Sequence, residues 1–245
     1  MARPFMNRRE AGRILAERLS QYAARSDIVV LALPRGGVPV ADEVAAALDA
    51  PLDVLVVRKL GAPWNEELAI GAIASGGIGI IDSRAVEMLG ISAREVDRTV
   101  AAERREIDRR ERLYRRARPF PDVAGKTVVL VDDGLATGSS MRAAIEAIRS
   151  RRPARVIAAV PVASTDACEM IALVADQCVC AITPEPFNGV GAWYTDFSQT
   201  TDEEVLEVLG RADARHTPAP TQSSVLPSVP PSVLPSVPPS LLAKG

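Results

Sequence analysis

The sequence predicts an α/β fold: a doubly wound, mostly parallel open sheet flanked by helices, with a long helical insertion and a disordered Pro-rich tail. Short apolar runs alternate with segments of helical spacing, and parallel neighbours need helical crossovers between them. The runs are apolar at consecutive positions, as in strands covered on both faces. Three of them end in polar or glycine-rich segments, and such sheets bind ligands at the carboxyl ends of their strands. A chain of 245 residues with 47% hydrophobic residues is long enough to bury the core this requires.

Asn7 followed by Glu10 reads as a capping box, and Ala11, Ile14, Leu15, Leu19 and Tyr22 then repeat at helical spacing. Ile28 to Leu33 is the first buried strand, followed by Pro34, Arg35, Gly36 and Gly37 and a helix from Val38 to Leu48. Asp53 to Val57 is a second strand, ending at Arg58 and Lys59. Thr127 to Val131 leads into a helix from about Ser139 to Ser150, Arg155 to Val160 into one near Asp166 to Ala175, and Gln177 to Ile182 is a last strand.

Between residues 76 and 122 the pattern changes to an insertion: a short strand, Ile78 to Ile81, then a long polar helix opened by a Ser92 and Glu95 capping box. Eight arginines lie between Arg104 and Arg118, preceded by Glu103 and interleaved with Glu106, Asp108 and Glu111. The i,i+4 pairs Glu106 with Arg110, Asp108 with Arg112 and Glu111 with Arg115 favour a solvated, salt-bridged face over an RNA-binding one. The insertion also suits a cover for the site or a contact in a homo-oligomer. Residues 1 to 216 form the expected domain. From 217 to 245 the chain is Pro, Ser, Val and Leu, with SVLPSVPP repeated at Ser224 to Pro231 and Ser232 to Pro239, a polyproline-like disordered extension.

Twenty-nine basic residues against thirty-one acidic ones give a net charge of -2, so no global field draws the protein onto nucleic acid or anionic lipid, and a bound anion must be held locally. No run of about 18 apolar residues occurs, so no membrane partner and a cytoplasmic location are expected. Cys168, Cys178 and Cys180 show no CxxC spacing and read as small buried apolar residues; His216 is the only histidine, against histidine-based chemistry.

The strongest chemical signal is VVLVDDGLATGSSM, Val128 to Met141: a buried strand, two acids, then a glycine turn into a helix. A helix N-terminus offers unpaired N–H groups and a positive dipole end, so Ala136, Thr137, Gly138, Ser139 and Ser140 suit a phosphate monoester. Asp132 and Asp133 beside it can accept hydrogen bonds from ribose hydroxyls, hold hydrated Mg²⁺, or stabilise an oxocarbenium-like state. The absence of GxxxxGK[ST] removes a P-loop, and the ordered combination is more specific than either two acids or a glycine turn alone.

On these residues the sequence resembles the type I phosphoribosyltransferase family, over about Asn7 to Glu207. The resemblance implies a donor, phosphoribosyl pyrophosphate (PRPP), with Mg²⁺ as cofactor. It also implies a pyrophosphate loop at Arg35, Gly36 and Gly37, and a cationic pair at Arg58 and Lys59. Residues 66 to 77 and 187 to 205 are similar to a bacterial subgroup whose acceptor is poorly defined. A mobile closing loop is expected at Gly61 to Gly79, and a planar acceptor near Phe187, Trp193 and Tyr194, although core packing explains these aromatics equally well. The implied reaction transfers a 5-phosphoribosyl group to a nitrogen heterocycle, with a non-catalytic sensor of PRPP or nucleotide as the alternative and a scaffold using the proline tail as a third.

Overall fold

The structure, a computed structural model, describes residues 3–115 and 118–216. The expected proline-rich tail lies outside the described residues.

Helix α1, Arg8–Arg18, starts at Asn7, whose side chain accepts from the Glu10 N–H, while Glu10 reaches back to the Met6 N–H. Strand β1, Ile28–Ala32, leads to α2, Gly37–Leu48, and then to β2, Leu52–Val54. Strands β3, Val57–Ala62, β4, Asn65–Ala74, and β5, Ile78–Ile81, come next, followed by α3, Ser83–Met88, and α4, Ala93–Arg115. The chain returns through β6, Thr127–Val131, and α5, Ser139–Arg149, then β7, Arg155–Val162, and α6, Thr165–Ala172. It ends in β8, Gln177–Ile182, and α7, Asp202–His216.

The main sheet runs β2-β1-β6-β7-β8, every pair parallel. Alternation of side chains along its strands divides the core in two. Ile28, Val30, Ala32, Val129 and Val131 join α1, α2 and α7 on one face, whereas Val29, Leu31, Val128 and Leu130 join α5 and α6 on the other. This double covering is why the strands are apolar at consecutive positions, as expected from sequence.

The second sheet is the main correction. Asp53 to Val57 is not one strand: β2 ends at Val54, and Arg58 and Lys59 fall in β3 of an antiparallel sheet ordered β3-β4-β5. The expected mobile loop at 61–79 is therefore mostly this sheet, with β3 and β4 turning between Ala62 and Asn65. The excursion from the main sheet begins at Val57 rather than near residue 76. Its parallel-looking apolar run was misleading because the pattern of buried residues continues through Leu55 and Val56, which pack in opposite halves of the core as the chain leaves the sheet. Helices α3 and α7 had no counterpart in the sequence reading.

Helix α4 carries the Ser92 and Glu95 capping box, with Glu95 accepting from both the backbone and the hydroxyl of Ser92. Its arginine face is solvated as expected, except at Arg115. That side chain is buried, ion-paired to Asp53 and Glu111, donates to the Val54 carbonyl, and lies over the Phe120 ring. It ties α4 to the end of β2. Burial pushes the Asp53 carboxyl above its ordinary value, and Arg115 pulls it back down.

The cysteines also depart from expectation. All three are half-buried, Cys168 is disulfide-bonded to Cys180, and Cys178 is free. Among the described residues no helix is long and apolar enough to cross a membrane. Removing the guanidinium by Arg115→Ala leaves Asp53 buried without its counter-charge, and we expect a loss of about 3 kcal/mol in unfolding free energy, measured by denaturant titration.

Candidate active site

The site is built where β1 and β6, neighbours in the sheet, both end. Buried β6 delivers Asp132 and Asp133 to the carboxyl edge, and β1 delivers Pro34 to Gly37 beside them. The two loops touch. A Cβ on Gly37 would lie 2.7 Å from the Val131 carbonyl oxygen and 2.9 Å from Asp132 Cα, and one on Gly36 would overlap Asp133 Oδ2. The glycine pair thus serves close approach to the acids, a different use from the expected one. The Gly37 N–H is spent on the Leu33 carbonyl at 3.1 Å, so it is not offered to a ligand.

The glycine turn before α5 has the form expected from sequence. Gly138, at φ 71°, turns the chain into α5 in a conformation that glycine adopts most readily. Helix α5 begins at Ser139 with no side-chain cap, and the Thr137 and Ser139 hydroxyls lie 3.0 Å apart. Asp132 and residues Gly134 to Met141, with Val190 opposite, line a cavity of about 210 Å³. Uncapped N–H groups, a dipole end and three hydroxyls converge there.

Arg8 was missed by sequence reasoning. From the first turn of α1 it places Nε and Nη2 each 2.9 Å from Asp133 Oδ2, donates to the Ser198 carbonyl, and stacks 4.1 Å from the Phe197 ring centroid. Nothing local in the sequence marks it, because the contact spans 125 residues. Burial pushes the Asp132 carboxyl well above its ordinary range, and the charge of Asp133 adds to the effect. Asp133 is also pushed up by burial, with Arg8 opposing.

Tyr194 does not fit the expected acceptor role. It is 6% exposed, packs between Phe5 and Phe197, and donates its hydroxyl to the Asp133 carbonyl at 2.6 Å. Burial raises its hydroxyl, which stays protonated as that donor. Phe187 and Trp193 pack against the same cluster. The aromatic group is thus a buttress under the acid loop, held by pairing of Phe5 with the 193–195 backbone.

The expected cations are only partly gathered. Arg35, which follows a cis Pro34–Arg35 peptide, lies 3.9 Å from Asp202 at the start of α7. Arg58 pairs with Glu103 of α4 at 2.6 Å. Lys59 and Ser139 together line a cleft of about 330 Å³ between the second sheet and α5, which brings Lys59 to the start of α5. As a check on the loop packing, Gly37→Ala should force the acid loop to shift and cost about 1–3 kcal/mol of stability, measured by thermal or denaturant unfolding.

Residues 6–191 match the phosphoribosyl transferase domain family. The chain is 44% identical over 208 residues to proteins of two Mycobacterium tuberculosis strains, H37Rv and CDC 1551, the first named "Putative phosphoribosyl transferase Rv0571c". The match takes in 85% of this chain and 47% of theirs, so the chain spans about half the length of these relatives. The protein TT1426 from Thermus thermophilus has a similar structure, with a TM-score of 0.76 and 44% identity over 84% of this chain and 97% of that one. With the strand, acid pair and glycine turn in place at one sheet edge, the chain belongs to the phosphoribosyl transferase domain family.

Proposed function

We propose that this chain transfers the 5-phosphoribosyl group of PRPP to a nitrogen acceptor, a nucleobase or related heterocycle, and releases pyrophosphate. The observation that carries the proposal is the cavity at the end of β6, where Asp132 faces the same space as the uncapped start of α5. Ala136, Thr137, Gly138, Ser139 and Ser140 take the 5-phosphate through backbone N–H groups and hydroxyls. That anchor places the ribose against Asp132 and Asp133. In the reaction the bond from the anomeric carbon to the pyrophosphate oxygen breaks and a bond to the acceptor nitrogen forms. Positive charge grows on the ring between these events, and carboxylates in a partly desolvated site stabilise it more than they stabilise the neutral ground state. An approaching cationic centre also restores ionisation to acids that burial has pushed up.

Arg8 holds Asp133 by one carboxylate oxygen and leaves Asp132 as the acid that lines the cavity. A carboxylate and hydroxyl donor set fits a hard, hydrated cation, so Asp132, with Asp133 behind it, would hold Mg²⁺ through water. The ion would supply positive charge to the departing pyrophosphate. Arg35, Gly36, Arg58 and Lys59 remain the proposed pyrophosphate group, with Gly37 shaping the loop by its close approach rather than donating its N–H, and Lys59 best supported by its place in the cleft beside Ser139. This assignment asks Arg35 and Arg58 to exchange their present acidic partners for the ligand. Phe187 and Trp193 stand as the proposed acceptor neighbours.

The test is pyrophosphate release from PRPP and Mg²⁺ over a panel of purines, pyrimidines and other heterocycles. Acceptor-dependent release is expected, with Asp132→Asn lowering kcat by about 10²-fold or more while the unfolding transition is retained. Donor binding without release across the panel would instead favour a sensor of PRPP, and absence of donor binding would remove the assignment of Ala136 to Ser140. Arg8→Met should destabilise the fold by about 3 kcal/mol by leaving Asp133 without its partner, read by denaturant unfolding; an unchanged midpoint would show that the pair contributes little.

A further inference from the structure

Among the described residues outside the acid loop, one cluster of chemically competent side chains stands apart. Cys168 of α6 and Cys178 and Cys180 of β8 bring their sulfurs within 4.8 Å of one another. Cys178 Sγ lies 3.7 Å from Cys168 Sγ and 3.6 Å from Cys180 Sγ. Strand β8 is at the edge of the main sheet, and all three residues are half-buried, so solvent reaches the cluster while apolar neighbours limit it.

We propose that the reduced cluster is a binding site for one thiophilic cation, Zn²⁺ or Cu⁺, held by the three thiolates of Cys168, Cys178 and Cys180. The spacing carries the argument. Metal–sulfur bonds of about 2.3 Å in a tetrahedral arrangement set neighbouring sulfurs about 3.7 Å apart, which is the distance Cys178 keeps from each of the other two. The Cα atoms of Cys168 and Cys180 are 6.8 Å apart, leaving room for an ion between their sulfurs once the disulfide is open. Sulfur is the only donor type in the cluster, which selects a soft or borderline cation over Mg²⁺ and separates this site from the oxygen donors of the acid loop. Three ligands leave a fourth position of a tetrahedral ion for water or a small thiol.

Loading begins from the disulfide. Two equivalents of a low-molecular-weight thiol reduce Cys168–Cys180, giving two protein thiols and one small-molecule disulfide. Binding then releases the thiol protons to solvent as three metal–sulfur bonds form.

The site is joined to the phosphate loop through α6. The Ser164 hydroxyl, which caps that helix, donates to the Ala136 carbonyl, and the Ile171 side chain fills the space beside Gly138. An ion linking α6 to β8 would therefore fix the wall against which the loop of residues 136 to 140 rests. This structural link does not depend on the proposed transfer reaction.

The test uses the full chain, reduced without oxygen and freed of reductant, titrated with Zn²⁺ against a chromophoric chelator and with Co²⁺ for its thiolate charge-transfer absorption. One equivalent per chain is expected, with Cys178→Ser weakening Zn²⁺ at least tenfold and abolishing the Co²⁺ band. The wild-type protein gives a second measure that needs no variant: Zn²⁺ should protect all three cysteines from alkylation, located by peptide mass. Three freely alkylated cysteines at saturating Zn²⁺, or affinity unchanged by Cys178→Ser, would overturn the proposal.

Discussion

Two adjacent carboxylates at the end of a fully buried strand impose the constraint around which this protein is arranged. Charge leaving water needs a partner or hydrogen bonds, and β6 gives Asp132 and Asp133 neither from its own neighbours in sequence, apart from the Asp133 N–H that reaches Asp132. The compensation comes from distant parts of the chain. Arg8 arrives from α1, and Tyr194 fastens the backbone of Asp133. Gly36 and Gly37 let the β1 loop close against the same peptides. The first helix is thereby as much a part of the candidate site as the loop of residues 136 to 140.

The second sheet is organised by a comparable buried charge. Asp53 lies within β2, one residue before that strand ends, and Arg115 reaches it from the last turn of α4, adding the Val54 carbonyl and the Phe120 face. The excursion from Val57 to Arg115 therefore returns to the residues it left, closing a substructure that sits beside α5. Lys59 lines a cleft with Ser139 at the start of α5, while Arg58 pairs with Glu103 of α4. Both also line a cleft against Thr99, Ala102 and Glu103 of α4.

Asp42 shows the same economy in a structural setting. It is 5% exposed and joins Arg9, Arg211 and Arg215, binding α2 to α1 and the C-terminal helix. Helix α7 is amphipathic only in relation to that face, with Val205, Val208, Leu209 and Ala212 buried against the core. Its short apolar stripe after a run of irregular structure left little periodic signal to read.

Local sequence determined the main strands, the helices that follow them, the capping boxes, and the glycine turn into α5. Consecutive apolar residues and a glycine before a helix are consequences of burial and backbone sterics acting over a few positions. It therefore marked Asp132, Asp133 and Ala136 to Ser140. Tertiary structure alone decided that Val57 enters an antiparallel sheet, that Arg115 is buried where the other arginines of α4 are not, that Tyr194 supports the acid loop, that Arg8 completes it, and that three cysteines meet. Each of these is a contact between segments far apart in the chain, and periodicity within a segment carries no information about which distant segment will lie against it.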